Sequence, residues 1–138
     1  MEDAQNIQLV KDAYAAFGRG DIQGILDQVD ENVVWHGVYG AAPHVPTAGV
    51  RRGKARVREF FEQVAQHVSF SRFEPREFLT GGDKVAALGR DSATTPGGQA
   101  FEADFVMVFT IRNGKVVEFK EFTDSAAINA AYPVGAPA

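Results

Sequence analysis

The sequence predicts an α+β fold in which helices cover one face of a curved, mostly antiparallel sheet. Residues 1–68 contain three stretches whose apolar residues recur at helical spacing, whereas residues 69–123 form long alternating stretches separated by short turns. Consecutive strands of this kind pair with one another, so the helices must pack together on one side of the sheet.

The first two helices are recognised by an apolar stripe and by the residues between them. Ile7, Val10, Tyr14 and Phe17 are spaced as one face of a helix. The segment GRGD then supplies a glycine stop, and Asp21 is placed as the N-cap of a short second helix. These signals predict two consecutive helices joined by a tight turn.

A strand, a loop and a third helix follow. The stretch VVWHGVY is rich in β-branched and aromatic residues and predicts the first strand. Residues 40–53 contain two prolines and several glycines, so we expect a loop that forms a lid or rim of a site. The stretch KARVREFFEQVAQHV predicts the third helix, with its apolar residues on one side.

The second half of the chain predicts four strands and a final short helix. The strands are FSRFEPREFL, KVAALGRDSATT, AFEADFVMVFTIR and KVVEFKEFT. The dipeptide Asn113-Gly114 is a strong hairpin signal, which makes the last two strands antiparallel neighbours. Asp124 is the expected N-cap of the final helix. We therefore expect a single domain over residues 1–132 and a flexible tail over residues 133–138.

Composition narrows the classes of function. The chain has 138 residues, no cysteine and a formal charge of −4 at pH 7. There is thus no thiol nucleophile, and the negative charge argues against nucleic-acid binding. The polar N-terminus and the lack of a long apolar run predict a cytoplasmic protein without membrane contact. The three histidines lack metal-ligand spacing and no nucleotide-binding motif occurs, so we expect neither a metal nor a cofactor.

The strand over residues 100–112 predicts a largely aromatic inward face. The residues on this face are Phe101, Ala103, Phe105, Met107, Phe109 and Ile111. Such a face lines either an aromatic cavity or a filled core, and the sequence leaves both possibilities open. Trp35 shares the inward face of its own strand with Val33, so it is expected to be a wall or core residue.

The last strand places a carboxylate on the same face as an aromatic ring, because Phe119 and Glu121 alternate onto one side of VVEFKEFTD. A buried carboxylate must be paired, hydrogen-bonded or protonated. Arg90 is its expected partner. The alternation of VAALGRDS is interpreted with Arg90 facing inward, and the strands over residues 84–94 and 115–123 are expected to flank the same central strand. Glu121 is then either an acid or base of a site, or a structural ion pair or hydrated rim group.

Two other features are candidates for function. His36 alternates to the face opposite Trp35, which predicts a structural or interface role unless the chain beside Gly37 turns it toward a pocket mouth, where it would be a catalytic candidate. The basic run RRGKARVR, over residues 51–58, stands at a predicted helix N-terminus, where an anion can bind. Such a run is also typical of a solvated helix face.

Four segments carry a resemblance to a known family: YAAFGRGDIQGILDQVDENVVW, GVRRGKARVREFF, FEPREFLTGGDKVAALGR and IRNGKVVEFKEFTDSAAINAA. In this order they resemble the SnoaL-like family of the nuclear transport factor 2-like superfamily. The resemblance implies a cone made of a curved sheet and three helices around a deep pocket. Relatives include polyketide cyclases, ketosteroid isomerases, epoxide hydrolases and dehydratases, and also proteins that only bind or dimerise, so the fold alone selects no reaction.

The resemblance transfers few catalytic residues to this chain. The general-base Asp of the ketosteroid isomerases falls at Gly37 and their oxyanion-hole Asp at Met107, so we expect no such isomerase activity. The Arg and two carboxylates of the epoxide hydrolases fall at Arg90, Glu121 and Ser92, which leaves one carboxylate absent. The aldol-type cyclases use a pocket Asp as base, and Asp91 would serve only with the strand parity opposite to that of Arg90.

We therefore expect a homodimer whose cavity accepts an apolar small molecule, with Glu121 and Arg90 at its polar end. The predicted lining residues are Tyr14, Trp35, Phe105, Met107, Phe109 and Phe119. An enzyme of this kind would carry out cofactor-free acid/base chemistry, such as isomerisation, hydration or cyclisation. The alternatives are a non-catalytic binding or dimerisation module and, third, a protein that binds an anionic partner through residues 51–58.

Overall fold

Six strands form one sheet in the computed structural model, which describes residues 2–132. The helices are α1 (Glu2–Gly18), α2 (Ile22–Leu26), α3 (Lys54–His67) and α4 (Ser125–Ala131). The strands are β1 (Val29–Gly37), β2 (Gly49–Arg52), β3 (Ser69–Gly81), β4 (Lys84–Thr94), β5 (Ala100–Arg112) and β6 (Lys115–Thr123). The predicted α+β fold is confirmed, with a curved sheet and helices on one face.

The strand order across the sheet is β2-β1-β6-β5-β4-β3. Only the β1–β6 pair is parallel within this sheet, and the other neighbours are antiparallel. As predicted, β5 lies between β4 and β6. Asn113 and Gly114 both have positive φ, at 52° and 75°, which is the conformation that a two-residue hairpin turn requires.

The helices are held by the predicted caps and by two apolar clusters, the smaller of which contains α4. The side chain of Asp21 accepts a hydrogen bond from the N–H of Gly24 at 2.9 Å, and that of Asp124 from Ala127 at 3.1 Å. The larger apolar cluster joins residues of β1, β4, β5 and β6 to α1, α2 and α3. Its fully buried members include Val10, Leu26, Val33, Val57, Val85, Phe105 and Val116. Burial of these side chains fixes the helices over the sheet.

The segment over residues 40–53 was expected to be a loop, but its last part forms the edge strand β2, which pairs with β1. Arg51 anchors the preceding turns, because its guanidinium donates to the carbonyl oxygens of Pro46 at 3.1 Å and Ala48 at 3.3 Å. Its neighbours in the basic run also have partners: Arg56 contacts Glu59, and Arg58 donates to Gln23. The basic run therefore stabilises the loop and the start of α3.

Two sequence-based predictions concern the ends of the domain and the membrane. The tail over residues 133–138 lies outside the described residues, and the domain boundary stays a prediction. Within residues 2–132, no helix has the length and apolar character needed to cross a bilayer.

Candidate functional site

A cavity of about 90 Å³ lies between the helices and the inner face of the sheet. This volume exceeds the roughly 10 to 15 Å³ that one water molecule needs. Its wall is mostly aromatic, with contributions from Tyr14, Phe17, Trp35, Phe60, Phe61, Phe70, Phe73, Phe101, Phe109, Phe119 and Tyr132. Val38 and Thr47 add the segment between β1 and β2, so the predicted rim loop supplies part of the wall.

Five of the six predicted lining residues lie on this wall: Tyr14, Trp35, Met107, Phe109 and Phe119. Phe105 does not, and its placement at the cavity was wrong. Its ring stacks on Phe73 with centroids 5.2 Å apart, and it occupies the space where Gly89 has no side chain. Because Gly89 lets the ring lie across β4, Phe105 fills the core behind the cavity rather than lining it.

Glu121 lies on the wall of the cavity, as strand alternation predicts. The residue keeps some accessible surface, but its carboxyl group is enclosed by protein. This burial raises the pKa of Glu121 to about 7, against the opposing effect of a hydrogen bond from the N–H of Val38 to Oε1 at 3.3 Å. The charge of Asp91 raises the pKa further.

The donor to Glu121 comes from a strained backbone position. Val38 has φ of 39°, which β-branched residues rarely adopt because their side chains crowd the backbone. This conformation, directly after β1, turns the N–H of Val38 toward Glu121 and lets the N–H of Tyr39 donate to the Glu121 carbonyl oxygen at 2.7 Å. Strain of this kind is typical of functional sites.

Arg90 is not the partner of Glu121, and the predicted pair was wrong. Its guanidinium lies on the outer face of the sheet, where it contacts Asp104 at 3.0 Å and Glu102 at 3.4 Å. The reason is the register of β4 with β5, which sets Arg90 opposite Asp104 and Asp91 opposite Ala103. Residues that face each other across a sheet share a side, so Asp91 points inward with Ala103.

Asp91 is the site residue that the alternation of β4 alone did not identify. It is 6% exposed, lines the cavity, and has no hydrogen-bond partner within the protein for Oδ1. Burial raises its pKa to about 6, although the charge of Arg90 acts in the opposite direction. The signal that could have revealed it was the hairpin between β4 and β5, because the predicted inward face of β5 fixes the inward face of its neighbour.

Two further polar groups border the cavity. The hydroxyl of Tyr14 lies 3.0 Å from the sulfur of Met107, and its pKa is raised by burial and then by the charge of Glu121, so the phenol stays protonated. Trp35 is buried and stacks on Phe119 with centroids 4.0 Å apart, and its Nε1 has no partner within the protein. A buried donor without a partner is costly unless a bound molecule satisfies it.

His36 lies on the outer face and does not reach the cavity, so its placement among the catalytic candidates was wrong. Its ring nitrogen is 3.8 Å from a carboxylate oxygen of Glu118, and its pKa is lowered mainly by burial. The neighbouring Gly37 cannot be replaced by a base without rearrangement. A Cβ there would collide with the carbonyl oxygen of Thr47 and stand 2.8 Å from the ring of Phe60.

The family model described as the SnoaL-like domain matches residues 10–119. The chain belongs to the SnoaL-like family. No curated protein matches it. The fold is that of the nuclear transport factor 2-like superfamily, as the resemblance implied.

Solved structures similar to this SnoaL-like protein include two of the same fold from Burkholderia. A nuclear transport factor 2-like protein from Burkholderia xenovorans LB400 is 32% identical, with 95% of this chain and 98% of that chain covered and a TM-score of 0.85. One of unknown function from Burkholderia pseudomallei K96243 is 29% identical, with 94% and 98% covered and a TM-score of 0.85. TerC, co-crystallised with polyporic acid, is 27% identical, with 93% and 98% covered and a TM-score of 0.76.

The SnoaL-like site brings together two carboxyl groups and no Lys, Arg or His side chain among the described residues. Within residues 2–132, no three His, Cys, Asp or Glu side chains converge as metal ligands. The charge of Asp91 raises the pKa of Glu121, and the pKa values of about 6 for Asp91 and about 7 for Glu121 mean that Asp91 loses its proton first. Between these two pKa values the site holds one carboxylate and one carboxylic acid.

Proposed function

We propose that this SnoaL-like protein is a cofactor-free acid/base enzyme acting on a small, largely apolar molecule. The observation that carries the proposal is the pair of carboxyl groups, Asp91 and Glu121, on a wall that is otherwise mostly aromatic and aliphatic. Their raised pKa values, about 6 and about 7, fall in the range where a carboxyl group both takes up and returns a proton near neutral pH. The similarity to TerC, which was co-crystallised with polyporic acid, also supports a small-molecule ligand.

The proposed reaction is a proton transfer within the substrate. The ionised carboxyl group removes a proton from a carbon, and the protonated one donates to the atom where negative charge develops. Tyr14 and the indole N–H of Trp35 are additional donors toward that charge. Isomerisation, dehydration and cyclisation all contain such a step, so the arrangement suits the reaction classes expected from the sequence.

A neutral carbon acid tests this proposal without knowledge of the natural substrate. In 5-nitrobenzisoxazole, removal of the ring C–H proton by a base breaks the N–O bond and releases a coloured cyanonitrophenolate. We expect the wild-type protein to accelerate this reaction, and Glu121→Gln or Asp91→Asn to reduce the acceleration by about 100-fold, the usual contribution of a positioned base. Burial of a carboxylate in an aromatic cavity increases its basicity, which favours this reaction.

Glu118→Gln is the matched control, because Glu118 lies on the same strand as Glu121 but beside His36, outside the cavity. Its rate should equal that of the wild type. A rate that is unchanged in both Glu121→Gln and Asp91→Asn contradicts the acid/base function and leaves the alternative of a non-catalytic binding or dimerisation module.

We also propose that the protein acts as a homodimer in the cytoplasm. The outer face of the sheet carries Phe122, which is 40% exposed, next to Tyr39, which is 49% exposed. Their rings lie 5.1 Å apart, and the half-buried Val106 pairs with Phe122 across the strands. An exposed apolar group of this kind favours contact with a second copy of the chain.

A further inference from the structure

The charges around the cavity indicate which ligands it can accept. Within the described residues its wall includes Asp91 and Glu121 but no side chain with a positive charge. An anionic ligand would place a like charge against these groups in a medium of low polarity, where repulsion is strong. A cation would instead supply the opposite charge that both buried carboxyl groups lack.

The aromatic side chains form a continuous wall beside the carboxyl groups. Tyr14 meets Phe109 edge-on at 5.8 Å between centroids, Phe109 meets Phe119 at 5.1 Å, and Phe119 stacks on Trp35 at 4.0 Å. Glu121 follows Phe119 by two residues on the same face of β6. Faces of aromatic rings attract cations, and a desolvated site strengthens that attraction.

Two buried polar atoms beside the cavity have no hydrogen-bond partner within the protein and are therefore available to a ligand. Asp91 Oδ1 accepts and has no donor within the protein, and Trp35 Nε1 donates and has no acceptor. Asp91 is 6% exposed and Trp35 is 3% exposed, so bulk solvent does not supply a hydrogen bond to either atom. A ligand that carries both an N–H donor and an oxygen acceptor answers both.

We propose that the natural ligand of this cavity is a compact protonated amine that also carries a hydroxyl, ether or carbonyl oxygen. The ammonium group contacts Asp91 and Glu121 against the aromatic wall, and the oxygen accepts from the indole of Trp35. This inference rests on the site of the proposed function and names its substrate class. Because the bound ammonium ionises both carboxyl groups, one of them acts as the base in this complex and the phenol of Tyr14, which stays protonated, is the proton donor.

An isosteric pair of probes isolates the effect of the charge. Protonated 2-(dimethylamino)ethanol and 3-methyl-1-butanol have the same heavy-atom shape, whereas 3-methylbutanoate is of similar size and carries a negative charge. At about pH 7.5 we expect calorimetric titration to give a dissociation constant for the amine at least about tenfold below that of the alcohol. The carboxylate should bind more weakly than either.

Two variants and one change of pH locate the effect. Asp91→Asn and Glu121→Gln should each reduce the preference for the amine over the alcohol, while Glu118→Gln should retain it.

In the wild type the preference should fall at about pH 5, because both carboxyl groups are then protonated, and amine binding near pH 6.5 should release protons. The other titratable groups on the wall, Tyr14 and Tyr132, have raised pKa values and stay neutral throughout. Arg90 acts on Asp91 only from the outer face.

The inference is overturned if the alcohol or the carboxylate binds as tightly as the amine, if none of the three probes binds, or if the preference survives at pH 5. The 5-nitrobenzisoxazole assay separates this failure from that of the proposed function. A carboxyl-dependent rate without amine preference contradicts only the substrate class, and loss of both contradicts the two proposals together.

Discussion

At the scale of single residues, ionisation of Glu121 opposes folding. Its pKa is about 7 in the folded protein, above the ordinary value of 4.5, so the folded state binds the proton more tightly than the unfolded state. The free energy of unfolding therefore decreases as pH rises from about 4.5 to about 7, and the loss is complete above that range. The predicted pair with Arg90 would have given the opposite sign, because it would have held Glu121 ionised.

Glu121→Gln should remove this pH dependence, since the amide keeps the shape and carries no charge. Relative to the wild type, the variant should gain stability between about pH 5 and pH 8, by an amount on the order of 3 kcal/mol. Urea unfolding at the two pH values measures the gain, with Glu118→Gln as the control. If the variant and the wild type differ in free energy of unfolding by the same amount at pH 5 and at pH 8, Glu121 is already ionised in the folded state at pH 5, and the prediction is wrong.

The residues of the site differed in how well the sequence predicted them. Strand alternation predicted the positions of Glu121, Trp35 and Phe119. In their strands, large apolar residues recur on one face and polar or charged residues on the other, so the inward face could be recognised. The strained conformation of Val38 left no such trace, since no residue type in the segment after β1 demands a positive φ. Phe105 was misplaced because its ring position depends on the missing side chain of Gly89 on another strand.

At the scale of elements, the parity of β4 decided which carboxyl group entered the cavity. Apolar residues occupy both faces of the first half of β4: Val85, Ala86, Ala87 and Leu88. Alternation alone therefore gave no preferred face. The pairing with β5 settles it, because Val85 and Ala87 lie opposite Phe109 and Met107. The helices, caps and hairpin were predictable because their signals are local, whereas the faces of β4 depend on a partner strand.

This parity predicts that Arg90 and Glu121 are energetically independent. Arg90 makes its ion pairs with Asp104 and Glu102 on the outer face, so replacing it leaves the surroundings of Glu121 unchanged. A double-mutant cycle with Arg90→Met and Glu121→Gln, followed by urea unfolding, should give a coupling energy indistinguishable from zero. A matched cycle that pairs Arg90→Met with Asp104→Asn should show coupling. Coupling in the first cycle and none in the second would place Arg90 inside the cavity.

At the scale of the whole molecule, the two faces of the sheet serve different purposes. The inner face is covered by α1 and α3 and encloses the cavity, whereas the described part of the chain offers no helix layer for the outer face of β4, β5 and β6. Much of that outer face is charged, with Arg90, Glu102 and Asp104 at one end. Its apolar part is concentrated around Phe122 and Tyr39, beside these charges, since Phe122 pairs with Val106 two residues from Asp104. This patch is the expected site of dimerisation.

Introducing one charged residue into this patch tests the predicted dimer. Sedimentation equilibrium at micromolar concentration should show a dimer of the wild type. Phe122→Glu should raise its dissociation constant at least about tenfold, or about 1.4 kcal/mol, because an apolar contact is replaced by a buried charge. Leu79→Glu is the matched control: Leu79 is 58% exposed but lies on the edge strand β3, away from the patch, so its dimer should be unchanged. A monomeric wild type, or equal weakening by both substitutions, would remove the Phe122 patch as the interface and leave the cavity as a site complete within one chain.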